Sequence, residues 1–324
     1  KKLAPDIKAT PMVIERRYTA CAKTILVGEH AVVYGADAVA MPLHDMRLEL
    51  SVRQESHDNN RPLLHIELGG QPVSPQLVEA AREAARLLDI PNPGLKIAGN
   101  SSILTGAGLG SSAALCVALL RAMAGVYGRE ISNEDLACLA NQLEQAFHGT
   151  PSGLDTNVVA HERVIGFTRQ GGSRPVSVRG NWQFALIDSG ERCATNIMIE
   201  RVAPWFRNPE TSQRRIDRFN GLAASAINAL ESANHDELAK AMNDASHLLS
   251  EAGAMTPVLH ELRDAAMASG ALATKLTGAG GGGCLLALLP AQDPEGAKKF
   301  LNRLDNHLGA RPLIPVTLKG TPYP

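Results

Sequence analysis

"GAGLGSSAALCVALL", residues 106–120, sets a glycine-rich turn directly before an apolar run. Glycines at 106, 108 and 110 let the backbone reach positive φ and approach a ligand closely. The helix expected over 111–126 would offer unpaired N–H groups and a positive dipole end, a ready cradle for phosphate. It reads as buried, because Ala113, Ala114, Val117, Ala118 and Leu119 leave almost no polar face. The lysine that completes a Walker A loop, G-x-x-x-x-G-K-[ST], is absent. Ser111 and Ser112 stand at the helix start instead. A tight turn with serine caps is the plain alternative. The tandem serines favour phosphate binding, because a hydroxyl there can ligate Mg²⁺ or bond a phosphate oxygen.

Around this turn the apolar patterning alternates in character. Strands are expected near 18–27, 46–53, 63–68 and 94–98, with a helix over 75–88. Ser132 with Asp135 resembles a capping box that opens a helix to about 147. "HGTPSGLD" (148–155) is too rich in turn formers to continue it. Residues 163–188 read as β-structure, 193–269 as mostly helical, and the strand "CLLALL" follows a second glycine run at 278–283. A helix near 293–307 and a closing strand suggest a βαβ-like end. The order implies an α+β chain of two lobes, divided as 1–175 and 176–324.

The chain of 324 residues is 44% hydrophobic and 20% charged, which is ordinary globular composition. A net charge of −1 provides no global field for nucleic acid or an anionic membrane. Five widely spaced cysteines, with no C-x-x-C, suggest neither a disulfide framework nor a zinc site, and fit a reduced cytoplasmic protein. No apolar run reaches transmembrane length, and "KKLAPDIKATP" reads as a loose arm without a signal-peptide core.

Three further stretches carry candidate chemistry. The run 278–283 matches G-x-G-x-x-G but precedes a strand, which argues against a dinucleotide site. Its glycines suit a close backbone approach, and Thr277 before it could offer a hydroxyl to a ligand. In "LEQAFHGTPSGLD" (143–155), Glu144 and Asp155 could converge, one holding metal and the other handling a proton. His148 reads as a surface or capping histidine. In "AKTILVGEHAVVYG" (22–35), Lys23 sits in an apolar strand, where it must find a partner or snorkel to the surface. Glu29 and His30 follow a glycine and could reach a polar site.

Taken together, "AKTILVGEHAVVYG", "GAGLGSSAA" and "KLTGAGGGGC" resemble, in order, the motifs of the GHMP kinases. That superfamily comprises galactokinase, homoserine kinase, mevalonate kinase and phosphomevalonate kinase. The resemblance spans roughly residues 18–290. Within the superfamily, "GEHAVVYG" and "HGTPSGLD" are most similar to the branch whose acceptor is (R)-mevalonate. One departure stands at Leu104, where the family usually has proline.

The resemblance implies a ribosomal-protein-S5-like N-terminal lobe and a ferredoxin-like C-terminal lobe, with ATP between them. Residues Gly106, Ala107, Gly108, Leu109, Gly110, Ser111 and Ser112 would wrap the phosphates. Ser112 and Glu144 would ligate Mg²⁺. Asp155 would face the substrate hydroxyl beside Lys23, as the catalytic pair. Glu29, His30 and Thr277 would lie at the substrate. The implied reaction is transfer of the ATP γ-phosphate to the C5 primary hydroxyl of mevalonate. The only basic side chain besides histidine in 22–35 and 148–158 is Lys23, which disfavours a second phosphate on the acceptor. Another small-molecule kinase of the superfamily and a non-catalytic sensor on the same fold remain as alternatives. The sequence is silent on oligomeric state, and a homodimer stays open.

Overall fold

A computed structural model describes residues 15–54, 64–91, 94–145, 151–168, 171–290, 293–308 and 311–321. The N-terminal arm and His148 lie outside the described residues. The chain opens with β1 (Glu15–Val27), a 3₁₀ turn (Ala31–Tyr34) and the long β2 (Ala38–Gln54). β3 (Leu64–Leu68), β4 (Gln71–Pro72), α1 (Pro75–Leu87) and β5 (Leu95–Ser101) follow. Then come α2 (Ser111–Val126), α3 (Asn133–Glu144), α4 (Leu154–His161), β6 (Ile165–Thr168) and β7 (Gly172–Pro175).

These strands form one sheet in the order β4-β3-β5-β2-β6-β7, with β1 on the other edge of β2. β2 begins earlier than the patterning suggests. Its register against β1 jumps between Cys21↔Arg47 and Ala22↔Leu43, which loops out the exposed His44 and Asp45. Such a bulge absorbs Pro42 and hides the alternation that marks a regular strand. α2 is the apolar helix expected, with ten buried residues, and it packs on β1, β2, α3 and α4. The Ser132 hydroxyl accepts from the Asp135 N–H at 3.0 Å and so caps α3. α3 ends at Glu144, short of the expected 147. α4 is an element that the turn-forming run concealed, and its first turn carries Asp155.

The second sheet starts with β8 (Val178–Asp188). Four helices follow: α5 (Thr195–Arg207), α6 (Ser212–Ser232), α7 (His235–Glu251) and α8 (Pro257–Ala268). β9 (Ala273–Leu276), β10 (Cys284–Leu288), α9 (Pro294–Leu308) and β11 (Leu313–Thr321) complete it. The order β11-β8-β10-β9 is antiparallel throughout. The expected βαβ-like end is thus a split one, because β8 lies between β10 and β11. That is ferredoxin-like topology, as expected. β9 and β10 form a hairpin around the glycine run 278–283.

One buried apolar cluster runs through both sheets, from Leu26, Met41 and Leu119 to Trp182, Phe184, Phe206 and Phe219. α6 packs against strands of both. The two glycine turns therefore meet on a common rigid core.

Candidate active site

Gly106, Gly108 and Gly110 all have positive φ, and the turn they form leads into α2. No side chain caps α2 at Gly110, α4 at Gly153 or α5 at Ala194. By contrast, Ser74, Ser132, Asn234 and Thr256 cap α1, α3, α7 and α8. α6 likewise starts without a cap, at Thr211, and the starts of α2, α4 and α5 border one cleft of about 350 Å³, lined among others by Gly110, Gly153 and Thr195. The positive dipole ends of these three helices thus converge where an anion would sit.

The two glycine turns touch backbone to backbone. A Cβ on Gly108 would sit 2.4 Å from the Thr277 carbonyl oxygen, and one on Gly278 would sit 2.5 Å from Gly108 Cα. Only glycine permits this approach. Thr277 donates its hydroxyl to the Ala107 carbonyl at 2.9 Å, and the Cys284 N–H reaches the same oxygen at 3.2 Å. Thr277 borders the cleft, but its proton is committed to clamping the 106–110 glycine turn to the second sheet. Ala107 is fully buried behind the turn, with its carbonyl facing away into that clamp. Gly106, Gly108, Leu109, Gly110, Ser111 and Ser112 line the cleft itself.

Lys23 and Asp155 come together on the cleft floor. Lys23 is 2% exposed and does not snorkel, and its Nζ lies 2.8 Å from Asp155 Oδ2. Asp155 is open to the cleft. The Ser112 hydroxyl donates to Glu144 at 2.7 Å. Burial, and then the neighbouring Asp155 charge, push the Glu144 carboxyl up to about 7. Two carboxylates from α3 and α4 therefore face one space, as their spacing allowed.

His30 adopts φ 58, unusual for a non-glycine residue. Its Nε2–H donates to the Ala279 carbonyl at 2.8 Å, and burial lowers its pKa, which favours the neutral ring. Glu29 is buried beside it and pairs with Lys275 of β9. Lys275 is a buried charged residue of this region that no motif singles out by itself. It lies within the quoted "KLTGAGGGGC" and carries the same signal as Lys23, a lysine inside an apolar strand. Arg192 also went unread. It forms a two-pronged pair with Asp188 at 2.7 and 2.8 Å and donates Nε to the Thr105 carbonyl at 3.0 Å. That ties the entry of the 106–110 glycine turn to the second sheet.

One further cluster of ligand-type side chains occurs among the described residues, at Cys21, His44 and Glu162. It does not fit a cation. Burial pushes the Cys21 thiol up to about 12, and Arg47 and Arg121 already hold Glu162 at 2.5 and 2.8 Å.

Residues 76–162 match the GHMP kinases N terminal domain, and residues 226–310 match the GHMP kinases C terminal family. A mevalonate kinase of Pyrococcus furiosus is 31% identical, over 86% of this chain and 90% of its own. The chain belongs to the GHMP kinases, within the mevalonate kinase family. A mevalonate kinase of Methanothermobacter thermautotrophicus is 33% identical to this GHMP kinase, over 84% and 89% of the two chains. Among solved structures, L. major mevalonate kinase in complex with R-mevalonate superposes with a TM-score of 0.81 at 22% identity, covering 98% and 99% of the chains. The Methanococcus jannaschii mevalonate kinase gives 0.78 at 22%, over 97% and 100%. The two-lobed GHMP kinase fold is therefore that of this chain. No helix among the described residues is long and apolar enough to cross a membrane.

Proposed function

We propose that this GHMP kinase transfers the γ-phosphoryl group of ATP to the C5 primary hydroxyl of (R)-mevalonate. The observation that carries the reading is the 2.8 Å Lys23–Asp155 pair on the floor of the cleft that the glycine turn borders. Phosphoryl transfer needs positioning and charge neutralisation more than covalent help. The acceptor oxygen attacks the γ-phosphorus in line, the bond from phosphorus to the bridging oxygen of ADP breaks, and the hydroxyl proton passes to Asp155. Lys23 steadies the incoming oxygen. The amides of the 106–112 turn and the uncapped start of α2 bind the phosphates. Glu29 and His30 bond the acceptor's polar groups, while Val32 and Val33 border the same cleft. We place the division between the lobes between Pro175 of β7 and Val178 of β8.

Ser112 and Glu144 would hold Mg²⁺. The fit rests on their chemistry: both are hard oxygen donors, and a buried carboxylate beside a second one is relieved by a cation. The ion would neutralise phosphate charge when bound. Five unpaired cysteines support a reducing, cytoplasmic setting.

Turnover of ATP against mevalonate, phosphomevalonate, homoserine and galactose tests the reading, with the phosphorylated position read by ³¹P–¹H NMR. Preference for mevalonate and a C5 phosphate is expected. Preference for another acceptor, or phosphate on the tertiary alcohol, overturns it. ATP binding without ADP release against any acceptor points to a sensor.

A further inference from the structure

Lys275 stands on β9 of the second sheet with no exposed surface. Its ammonium reaches across to the loop after β1, pairs with Glu29 Oε1, and donates to the Leu276 carbonyl at 2.5 Å. Glu29 is 1% exposed. Its other oxygen, Oε2, is buried without a hydrogen-bond partner among the described residues. A dry ion pair loses much of its Coulomb gain to desolvation, so stability is a weak account of two charges placed here.

The surroundings supply a better account. Burial pushes the Glu29 carboxyl up, and Lys275 and then Lys23 pull it back. Burial likewise pushes the Lys275 ammonium down, with Lys23 adding to that push. Lys23 borders the same cleft as Glu29 and pairs there with Asp155 at 2.8 Å. Three carboxylates, Glu29, Glu144 and Asp155, line that cleft with this one lysine. Glu29, 1% exposed, is the most demanding of the three, because almost no water can share its charge. Among the described residues, Lys23 is the only lysine or arginine that lines this cleft with Glu29.

We propose that Lys275 is a positioning residue that occupies Glu29 and thereby reserves Lys23 for Asp155. It touches neither acceptor nor nucleotide, and it acts through Glu29. The proposal rests on the reading of Lys23 and Asp155 as the transfer pair. It also gives the second sheet a part in setting the charge pattern of a floor that the first sheet builds.

The test compares Lys275→Met, Glu29→Gln and the double variant, by steady-state kinetics and crystallography. Lys275→Met should lower kcat about 30-fold or more, with the KM for ATP within about threefold of the parent. Its crystal structure should show Lys23 Nζ turned from Asp155 toward Glu29. In the Glu29→Gln background the carboxylate that Lys275 holds is gone, so adding Lys275→Met should cost less than about threefold. An unmoved Lys23–Asp155 pair in Lys275→Met, or an equal loss in both backgrounds, overturns the proposal. If Lys275→Met does not fold, Glu29→Gln against the double variant decides: equal kcat supports the proposal and a further loss overturns it. If no acceptor is turned over by the parent, the transfer reading fails. The position of Lys23 in the structures of Lys275→Met, or of Glu29→Gln and the double variant, then still judges the role of Lys275.

Discussion

The alkyl stem of Lys23 lies across Gly110, where a Cβ would sit 2.7 Å from Lys23 Cε and 2.8 Å from its Cγ. The backbone N–H of Lys23 also donates to the Leu109 carbonyl at 3.0 Å. The glycine turn and the lysine paired with Asp155 are thus fitted against each other. Gly110→Ala introduces a methyl at φ +73 as well as at that contact. The strained backbone alone costs about 1–3 kcal/mol. The larger effect should be on turnover, because Lys23 must move off Asp155 and a displacement near 1 Å costs about 10²-fold in rate. Thermal melts alongside kcat check this. A variant that loses stability but keeps kcat would detach Gly110 from the placement of Lys23.

Glu144→Gln should lower kcat by about two orders of magnitude or more and raise the Mg²⁺ requirement. Near-normal turnover at limiting Mg²⁺ would remove Glu144 from the metal site.

The same residue makes a prediction for the protein without nucleotide or metal. Its carboxyl is raised from 4.5 to about 7, so the folded state holds the proton more tightly than the unfolded chain does. The resulting stability is complete below about pH 4.5 and is lost as the pH rises through about 7. Between pH 5 and 8, denaturant unfolding of the parent should lose up to about 3 kcal/mol more than Glu144→Gln does. Parallel curves for the two proteins would show that Glu144 titrates normally.

Asp155→Asn should keep ATP binding and the fold, yet lose about 10²–10⁴-fold in kcat. Lys23→Met should also lower kcat, and the double variant should lose far less than the product of the single losses. Single-turnover measurements with bound ATP separate this from an affinity effect. Multiplicative losses would mean that the two groups work apart.

Glu162 is a structural test case outside the cleft. It ends α4 at φ 50 and accepts from Arg47 and Arg121, which also bond Thr19 on β1. Glu162→Ala leaves two half-buried guanidiniums short of a partner and should cost about 1–3 kcal/mol. Turnover per folded molecule should be unchanged, as read from kcat at a temperature below the onset of melting. A large loss of kcat there would place the hub in the transfer step.

Much of the scaffold was legible because its cues are local. The apolar run behind Gly110 could only be a buried helix, and Ser132 and Asp135 announced the start of α3. α4 was hidden because "PSGLD" carries turn formers up to its first residue, and glycine at 153 serves there as an uncapped start. β2 was shortened because Pro42 and the bulge after Leu43 break its alternation. Thr277 was read as a ligand group, whereas a carbonyl 170 residues away takes its proton.

What the sequence by itself determined is the set of chemical parts: the glycine turns, the serine at a helix start, the carboxylates, and lysines set in apolar strands. Spacing sufficed for these, because turn geometry, helix dipoles and burial act over a few residues. Only the tertiary structure decided the pairing. Lys23 could have taken Glu29 or Asp155, and nothing within either stretch distinguishes them. The choice is made where β9 brings Lys275 to Glu29 across 246 residues of chain. Electrostatic partnership depends on distance and on the exclusion of water, and both are properties of the packed interface between the two sheets.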